Sequence, residues 1–300
     1  MIDFQPLKLS DKEEYETYLR SAGERGCEYS FVNLYAWGRQ RAAVVDGYLA
    51  LFSQFNRRSV YPFPVGQGDI RPVLDAIIHD AKTRDIPCRI TGILAHDRVL
   101  LEELYPGRFR FHHDRDGYDY VYAIDDLADL KGKKFQKKRN HLHRFRDAHP
   151  DYTAVPLTQE NLPAAQAMID GWFADRIRED PQGDYCMERV AIRRALRHWQ
   201  ELGMEGLLLM DGEQVLAVTL GSRLNENTFN VHFEKAQADA YGAVNQAFAR
   251  YLREKYPQVK FLNREDDMGL EGLRKAKLSY NPHHMVEKSW ACLLEDGCEY

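Results

Sequence analysis

Apolar residues along this chain recur with a period near two over short runs and a period of three to four over longer ones, which predicts alternating strands and helices. Ser10 and Glu13 form a capping box ahead of a helix carrying Tyr15, Tyr18 and Leu19, which Gly23 can end. Short apolar runs at 42–45 and 48–52 flank Asp46-Gly47, the preferred dipeptide of a tight hairpin, and 60–65 continues the meander. A helix over 72–84 with Val73, Ile77 and Ile78 on one face comes next, then a strand at 89–94 and a helix at 99–104. Runs at 109–114 and 118–124 then pair across Asp116-Gly117.

The second half repeats that order of elements. Two helices lead, over 164–177 and 187–202, and strands at 206–210 and 214–220 pair across Asp211-Gly212. A third strand covers 228–233, and a helix over 243–255 carries Val244, Ala247, Phe248, Tyr251 and Leu252 on one face. A strand at 259–262, a helix at 270–279 and a strand at 285–293 complete it. Each half is therefore α/β with a mixed sheet flanked by helices, and the expected division is 1–128, a basic linking helix at 129–150, and 151–300.

Composition limits the function classes. A length of 300 residues suits two domains, and a net charge of −5 means that any attraction to nucleic acid or anionic lipid is local. That locality is the segment 131–146, where Lys131, Lys133, Lys134, Lys137, Lys138, Arg139, Arg144 and Arg146 stand without an intervening acid. Its apolar positions are Phe135, Leu142 and Phe145, so a helix here docks by a narrow edge and shows a cationic face to a polyanion: a tRNA backbone, the phosphates of coenzyme A, or an anionic head group. Five cysteines without CxxC spacing argue against a disulfide framework and a zinc site, and the pairs His112-His113 and His283-His284 lack a spaced third ligand, so no metal is expected. The acidic N-terminus has no apolar signal core and no run reaches the length of a membrane span, which gives a cytoplasmic expectation.

The densest chemistry lies at 263–282, NREDDMGLEGLRKAKLSYNP, where a strand hands over to a helix that Asp266 or Asp267 can cap. Asn263 through Asp267, Gly269, Gly272 through Lys277, and Ser279-Tyr280 resemble the signature of the C-terminal domain of bacterial phosphatidylglycerol lysyltransferases. The resemblance extends to 131–145, KGKKFQKKRNHLHRF, and to 31–37, FVNLYAW. It implies tandem acetyltransferase-like (GNAT-like) domains, related to Fem-type aminoacyl transferases, that move an acyl or aminoacyl group onto an acceptor. The co-substrate it implies is aminoacyl-tRNA or acyl-CoA, with no tightly bound cofactor.

Direct attack by an amine or hydroxyl on an activated acyl group needs a base, oxyanion donors and a proton for the leaving group. Glu234, at the end of the third strand of the second half, is the favoured base, with Asp267 and Glu265 as competitors and Tyr280 as a proton donor. Arg274 and Lys277, aided by Lys137, Lys138, Arg139, Asn263, Arg264 and Lys275, are placed to hold donor phosphate or oxyanion. The bland reading of Lys275 and Arg274 is ion pairing with Glu271 on a solvated face. The alternative for the whole chain is a polyanion-binding module, for tRNA or anionic lipid, that keeps the fold without turnover.

Overall fold

Asp46 and Gly47 adopt the left-handed backbone (φ 48° and 80°) that a two-residue hairpin requires, and Val45 pairs with Tyr48 across them as expected. The structure, a computed structural model, describes residues 1–55 and 58–296. It divides into two compact units, one of residues 1–119, 266–270 and 286–300, the other of 120–265 and 271–285.

The first unit runs β1 (Gln5–Pro6), α1 (Lys12–Ser21), α2 (Phe31–Trp37), β2 (Gln40–Val45), β3 (Tyr48–Phe55), β4 (Arg58–Pro62), β5 (Val65–Gly66), α3 (Arg71–Thr83), β6 (Arg89–Ile93), α4 (Ala95–Leu104) and β7 (Phe109–His113). The second begins in β8 (Asp119–Ala123) and continues through α5 (Ile124–Asp129), α6 (Gln136–Ala148), β9 (Thr153–Pro156), α7 (Leu162–Glu179), α8 (Cys186–Arg197), β10 (Met204–Asp211), β11 (Gln214–Arg223), β12 (Thr228–Ala236), α9 (Tyr241–Lys255), β13 (Phe261–Asn263), α10 (Glu271–Leu278) and β14 (His284–Val286). β15 (Ser289–Leu293) returns to the first unit. The sheets run β1-β2-β3-β4-β6-β15-β7, with β5 beside β3, and β14-β8-β13-β12-β11-β10-β9. Each is mixed, with β4 parallel to β6 in one and β12 parallel to β13 in the other. The α/β class with mixed sheets flanked by helices is the one the sequence predicts.

Two expectations are not met. β7 and β8 are not a hairpin: β7 pairs with β15 and β8 lies between β13 and β14, while Arg115–Gly117 makes a single 3-10 turn capped by the Asp114 side chain. The expected strand at 285–293 is likewise two strands in two sheets. The physical reason is burial on both faces. Asp119, Tyr120, Val121 and Tyr122 are all buried, so β8 is a central strand needing a neighbour on each side, and Ala291 and Leu293 of β15 fill the first unit's core beside Ile90 and Leu101.

The basic segment belongs to the second unit, so the division differs from the expected bounds at 128 and 151. α6 docks on α9 through Phe135, Leu142 and Phe145, the three apolar positions the sequence offers, all buried. Its charge is partly offset by acids on α5: Lys134 pairs with Asp126 at 2.8 Å and Lys131 with Asp129 at 2.9 Å. Lys133, Lys137 and Arg144 remain exposed. Among the described residues Cys27, Cys88 and Cys186 are free thiols; Cys298 lies outside the described residues.

A register shift between Leu220 and Gly221 places two residues of β12, Val231 and His232, opposite the single Gly221. A Cβ at Gly221 would stand 2.4 Å from the Asn230 carbonyl oxygen and 2.7 Å from the Phe229 ring. Gly221→Ala is therefore expected to cost about 1–3 kcal/mol, read as a lower urea midpoint. Gly242→Ala, whose Cβ meets only the Tyr280 hydroxyl at 3.6 Å, should be near neutral by comparison.

Candidate active site

β12 and β13 pair in parallel over only three positions, Thr228 with Phe261, Phe229 with Leu262 and Asn230 with Asn263. β12 then continues to Ala236 while the chain after Asn263 turns away, and the Arg264 amide donates to the Tyr120 carbonyl. Buried polar groups enforce that turn. The Asn263 side-chain oxygen accepts from the Glu265 amide at 2.7 Å, Glu265 takes a left-handed φ of 58°, and Lys277 Nζ donates to the carbonyls of Arg264 and Glu265 at 2.7 and 3.1 Å. The result is a fork at the carboxyl ends of parallel strands, the place where open α/β sheets receive ligands.

Glu234 lies in this fork. Its Oε1 accepts from Arg264 Nη2 at 3.0 Å and from Asn245 Nδ2 of α9 at 3.1 Å. The Arg264 guanidinium lies 5.9 Å from the Tyr122 ring centre and 5.7 Å from that of Tyr280. Burial works against its charge, yet Glu234, with Tyr122 and Tyr280 adding to it, holds its pKa above the ordinary value. Burial, with Glu234 adding to it, raises the Tyr280 phenol. Lys138 Nζ, from α6, sits 3.7 Å from the Tyr280 ring centre, and burial followed by the nearby Arg264 charge lowers its pKa to about 8. The first turn of α9 approaches the Tyr280 hydroxyl at Gly242, so a helix N-terminus, with its amides and positive dipole end, borders the same space.

Four of the residues nominated from sequence thus come together: Glu234, Arg264, Tyr280 and Lys138. The others stand elsewhere. Asn263 Oδ1 and Lys277 Nζ brace the turn by bonding backbone groups. Arg139 Nη1 donates to the carbonyls of Leu130 and Gly132, closing the end of α5. Lys275 pairs with Glu271 at 2.6 Å on an exposed face of α10, where Arg274 is half-buried, and Lys137 is exposed on α6. Asp267 belongs to the first unit, fully buried, with Arg115 3.6 Å away and its Oδ1 accepting from the Gly269 amide. Asp266 likewise accepts from the Met268 amide; both acids shape the turn rather than cap α10, which starts at Glu271.

Glu265 leads into a second polar line. Its Oε1 accepts from Asn230 Nδ2 at 2.7 Å and lies 3.4 Å from His232 Nδ1, while His232 Nε2 is 2.8 Å from Ser222 Oγ. Asn230 Nδ2 is also 2.9 Å from His232 Nδ1, an arrangement satisfied by the Nε2–H tautomer donating to Ser222. Sequence reasoning missed Asn230, His232, Ser222, Tyr122 and Asn245. Separations across two strands and a bulge leave no local signal for the first three, while Tyr122 and Asn245 read as ordinary strand and helix residues.

In the first unit, Cys27, Glu28 and Asp119 converge with their ligand-type atoms within 4.8 Å of one another. Lys288 Nζ contacts both carboxylates, at 2.9 Å from Glu28 and 2.7 Å from Asp119, so this is a buried ion-pair cluster.

Fold and site define a two-unit α/β protein with a cation-bearing fork beside a helix N-terminus. The chain belongs to the family described as phosphatidylglycerol lysyltransferase, C-terminal, whose model matches residues 19–292. A conserved protein of unknown function from Bacteroides thetaiotaomicron is 38% identical, with a TM-score of 0.92 over 98% of this chain and 100% of that one. L-PGS from Bacillus licheniformis shares the fold at 15% identity, with a TM-score of 0.67 over 98% of this chain and 94% of that one. An uncharacterised protein of Mycoplasmoides gallisepticum is 24% identical over 172 residues, 57% of this chain and 54% of its own length, so the match spans about half of that relative. Among the described residues, no helix is long and apolar enough to cross a membrane.

Proposed function

We propose that this chain moves an activated acyl group, carried as an aminoacyl-tRNA or an acyl-CoA, to an amine or hydroxyl acceptor by direct attack in the fork between β12 and β13. The observation that carries it is the meeting of Arg264, Lys138, Tyr280 and Glu234 beside the α9 N-terminus in a member of this family. Two cations against one carboxylate, with helix amides at hand, favour an anionic donor or a developing oxyanion. Neither co-substrate is held as a resident cofactor.

Aminoacyl-tRNA is the preferred donor. Lys133, Lys137 and Arg144 stand exposed on the α6 segment that also delivers Lys138, and the junction from Glu234 to Ala243 offers one glycine, Gly242, for cradling a pyrophosphate. Lysyl transfer to phosphatidylglycerol, the reaction in the family's name, is the first donor and acceptor pair to try. The test is a salt series of lysyl-tRNA binding, competed with coenzyme A and with phosphatidylglycerol vesicles, for wild type and a Lys133/Lys137/Arg144→Ala variant. The expected variant slope of log K against log salt is shallower by about 2–3. Saturable coenzyme A binding without tRNA binding would sink the tRNA donor, and tRNA binding without product from any acceptor would favour a polyanion-binding module.

A further inference from the structure

Strands β2 and β3 outrun the helix that covers them. Ala43 and Val45 of β2 and Tyr48, Ala50 and Phe52 of β3 pack into the first unit's core with Val73 and Ile77 of α3. The next positions on that same strand face are Arg41 and Gln54, both exposed. α3 stops short of them in a Schellman motif: the Ile86 amide donates to the Ala81 carbonyl and the Asp85 amide to that of Lys82, with Asp85 in the left-handed region at φ 57°. That ending turns Ile86 back onto the core, where it is half-buried. Past the end of α3 lies a pocket of about 440 Å³ lined by Phe4, Arg41, Phe52, Gln54, Arg84 and Ile86, all residues of the first unit.

The lining holds two guanidiniums and no carboxylate. Arg84 is fixed in place: its Nε donates to Asp80 Oδ2 at 2.7 Å and its Nη2 to the Ile2 carbonyl at 2.8 Å, and its guanidinium carbon lies 5.7 Å from the Phe4 ring centre and 5.2 Å from that of Phe52. Neither of those bonds uses Nη1. Asp80 is fully buried, and its oxygens also accept from the Ile2 amide and the Tyr61 hydroxyl, so its acceptor capacity is spent away from the pocket. Arg41 stands directly opposite Phe52 in the ladder, and among the described residues no ion pair or hydrogen bond engages it. Against Asp80, the two guanidiniums leave one net positive charge, which matches a singly charged anion. Phe4 and Phe52 stack with ring centres 5.5 Å apart and share the lining with Ile86, so the same space also offers an apolar floor. The Gln54 amide nitrogen makes only a 3.4 Å contact with Ser59 Oγ.

We propose that this pocket is a second ligand site, built wholly from the first unit, which binds a small organic carboxylate with a flat or branched apolar body. The planar carboxylate pairs with the Arg41 guanidinium and with the unspent donors of Arg84, a geometry that guanidiniums and carboxylates share. The body rests on Phe52 and Ile86, and Gln54 meets its outer edge. The volume lies at the small end of the range for ligand pockets, which suits a compact molecule. Prior fixation of Arg84 by Asp80 and Ile2 lowers the ordering cost of binding, while Arg41 supplies the charge that nothing else engages. The site does not depend on the transferase reading above.

Calorimetric titration of the full-length protein with phenylacetate and with 4-methylpentanoate tests this. At least one of the two should bind saturably with a Kd of about 0.1–1 mM, the range expected of so few heavy atoms. Acetate, which lacks the body, and phenylacetamide, which lacks the charge, should each bind at least about tenfold more weakly. Arg84→Met would strand the buried Asp80 carboxylate and confuse binding with stability, so the variants are Arg41→Ala and Gln54→Glu, both at exposed positions. Each should weaken binding about 10–100-fold with the urea midpoint unchanged, the first by removing a charged partner and the second by adding a repelling one. Absence of saturable binding by both carboxylates overturns the proposal, and so does binding that Arg41→Ala and Gln54→Glu leave intact. Binding of phenyl phosphate with none of phenylacetate would overturn the carboxylate assignment.

Discussion

Lys288→Met is expected to cost about 3–5 kcal/mol of unfolding free energy, the range for removing one partner from a buried ion pair. Lys288 Nζ meets Asp119 at 2.7 Å and Glu28 at 2.9 Å, and Asp119, fully buried, also accepts from the Cys27 amide at 2.6 Å. Without the ammonium, the buried Asp119 carboxylate loses a charged partner while it still accepts from the Cys27 amide. Burial opposes the Lys288 charge, but the two carboxylates outweigh it and hold its pKa well above the ordinary lysine value. A folded-state pKa raised above the unfolded one stabilises fully below the unfolded pKa, and the contribution fades as pH rises through the folded value. The cost should therefore be complete at neutral pH and shrink only in strong alkali. Adding Asp119→Asn to Lys288→Met should recover part of the loss in a double-mutant cycle. Urea unfolding within about 0.5 kcal/mol of wild type for the single variant would show that the cluster contributes nothing.

Arg264→Met should lower single-turnover transfer by about 10²–10³, the range for deleting one preorganised electrostatic donor. It also leaves the half-buried Glu234 beside Asn245 without its cation, which lowers stability as well. The pair Arg264→Met with Glu234→Gln separates the two effects. Neutralising both partners should restore the urea midpoint while transfer stays low, because the guanidinium that faces the donor is gone. Arg264→Lys should recover a fraction of the rate, since an ammonium keeps charge but loses the planar fork. Wild-type transfer by a folded Arg264→Met protein would remove this residue from the chemistry.

Much of the site was legible before the fold, because the stretch from Asn263 to Tyr280 is dense in ionisable residues. The roles within it were less so. Lys277 and Asn263 look like donor-binding groups in sequence, yet both are buried and turned to backbone, because the chain leaving β13 exposes carbonyls and an amide that need partners. Arg139 is diverted for the same reason by the carbonyls closing α5. Lys138, one residue earlier, projects toward Tyr280. A turn of about 100° per residue around a helix separates a residue that closes a helix end from one that reaches the fork.

What the sequence by itself determined is local: the Asp-Gly hairpins, the amphipathic helices, the narrow apolar edge of α6 and the polar handover after β13. Each follows from backbone preference or from hydrophobic spacing within one element, which short-range physics decides. Only the tertiary structure decided which strands are neighbours. β7 and β8 carry a good hairpin signal between them and still enter different sheets, because a strand buried on both faces takes the partners that complete a core. The fork depends on that choice: β8 receives the chain turning away from β12, and Arg264, Glu234, Tyr280 and Lys138 meet there from four separate stretches of sequence.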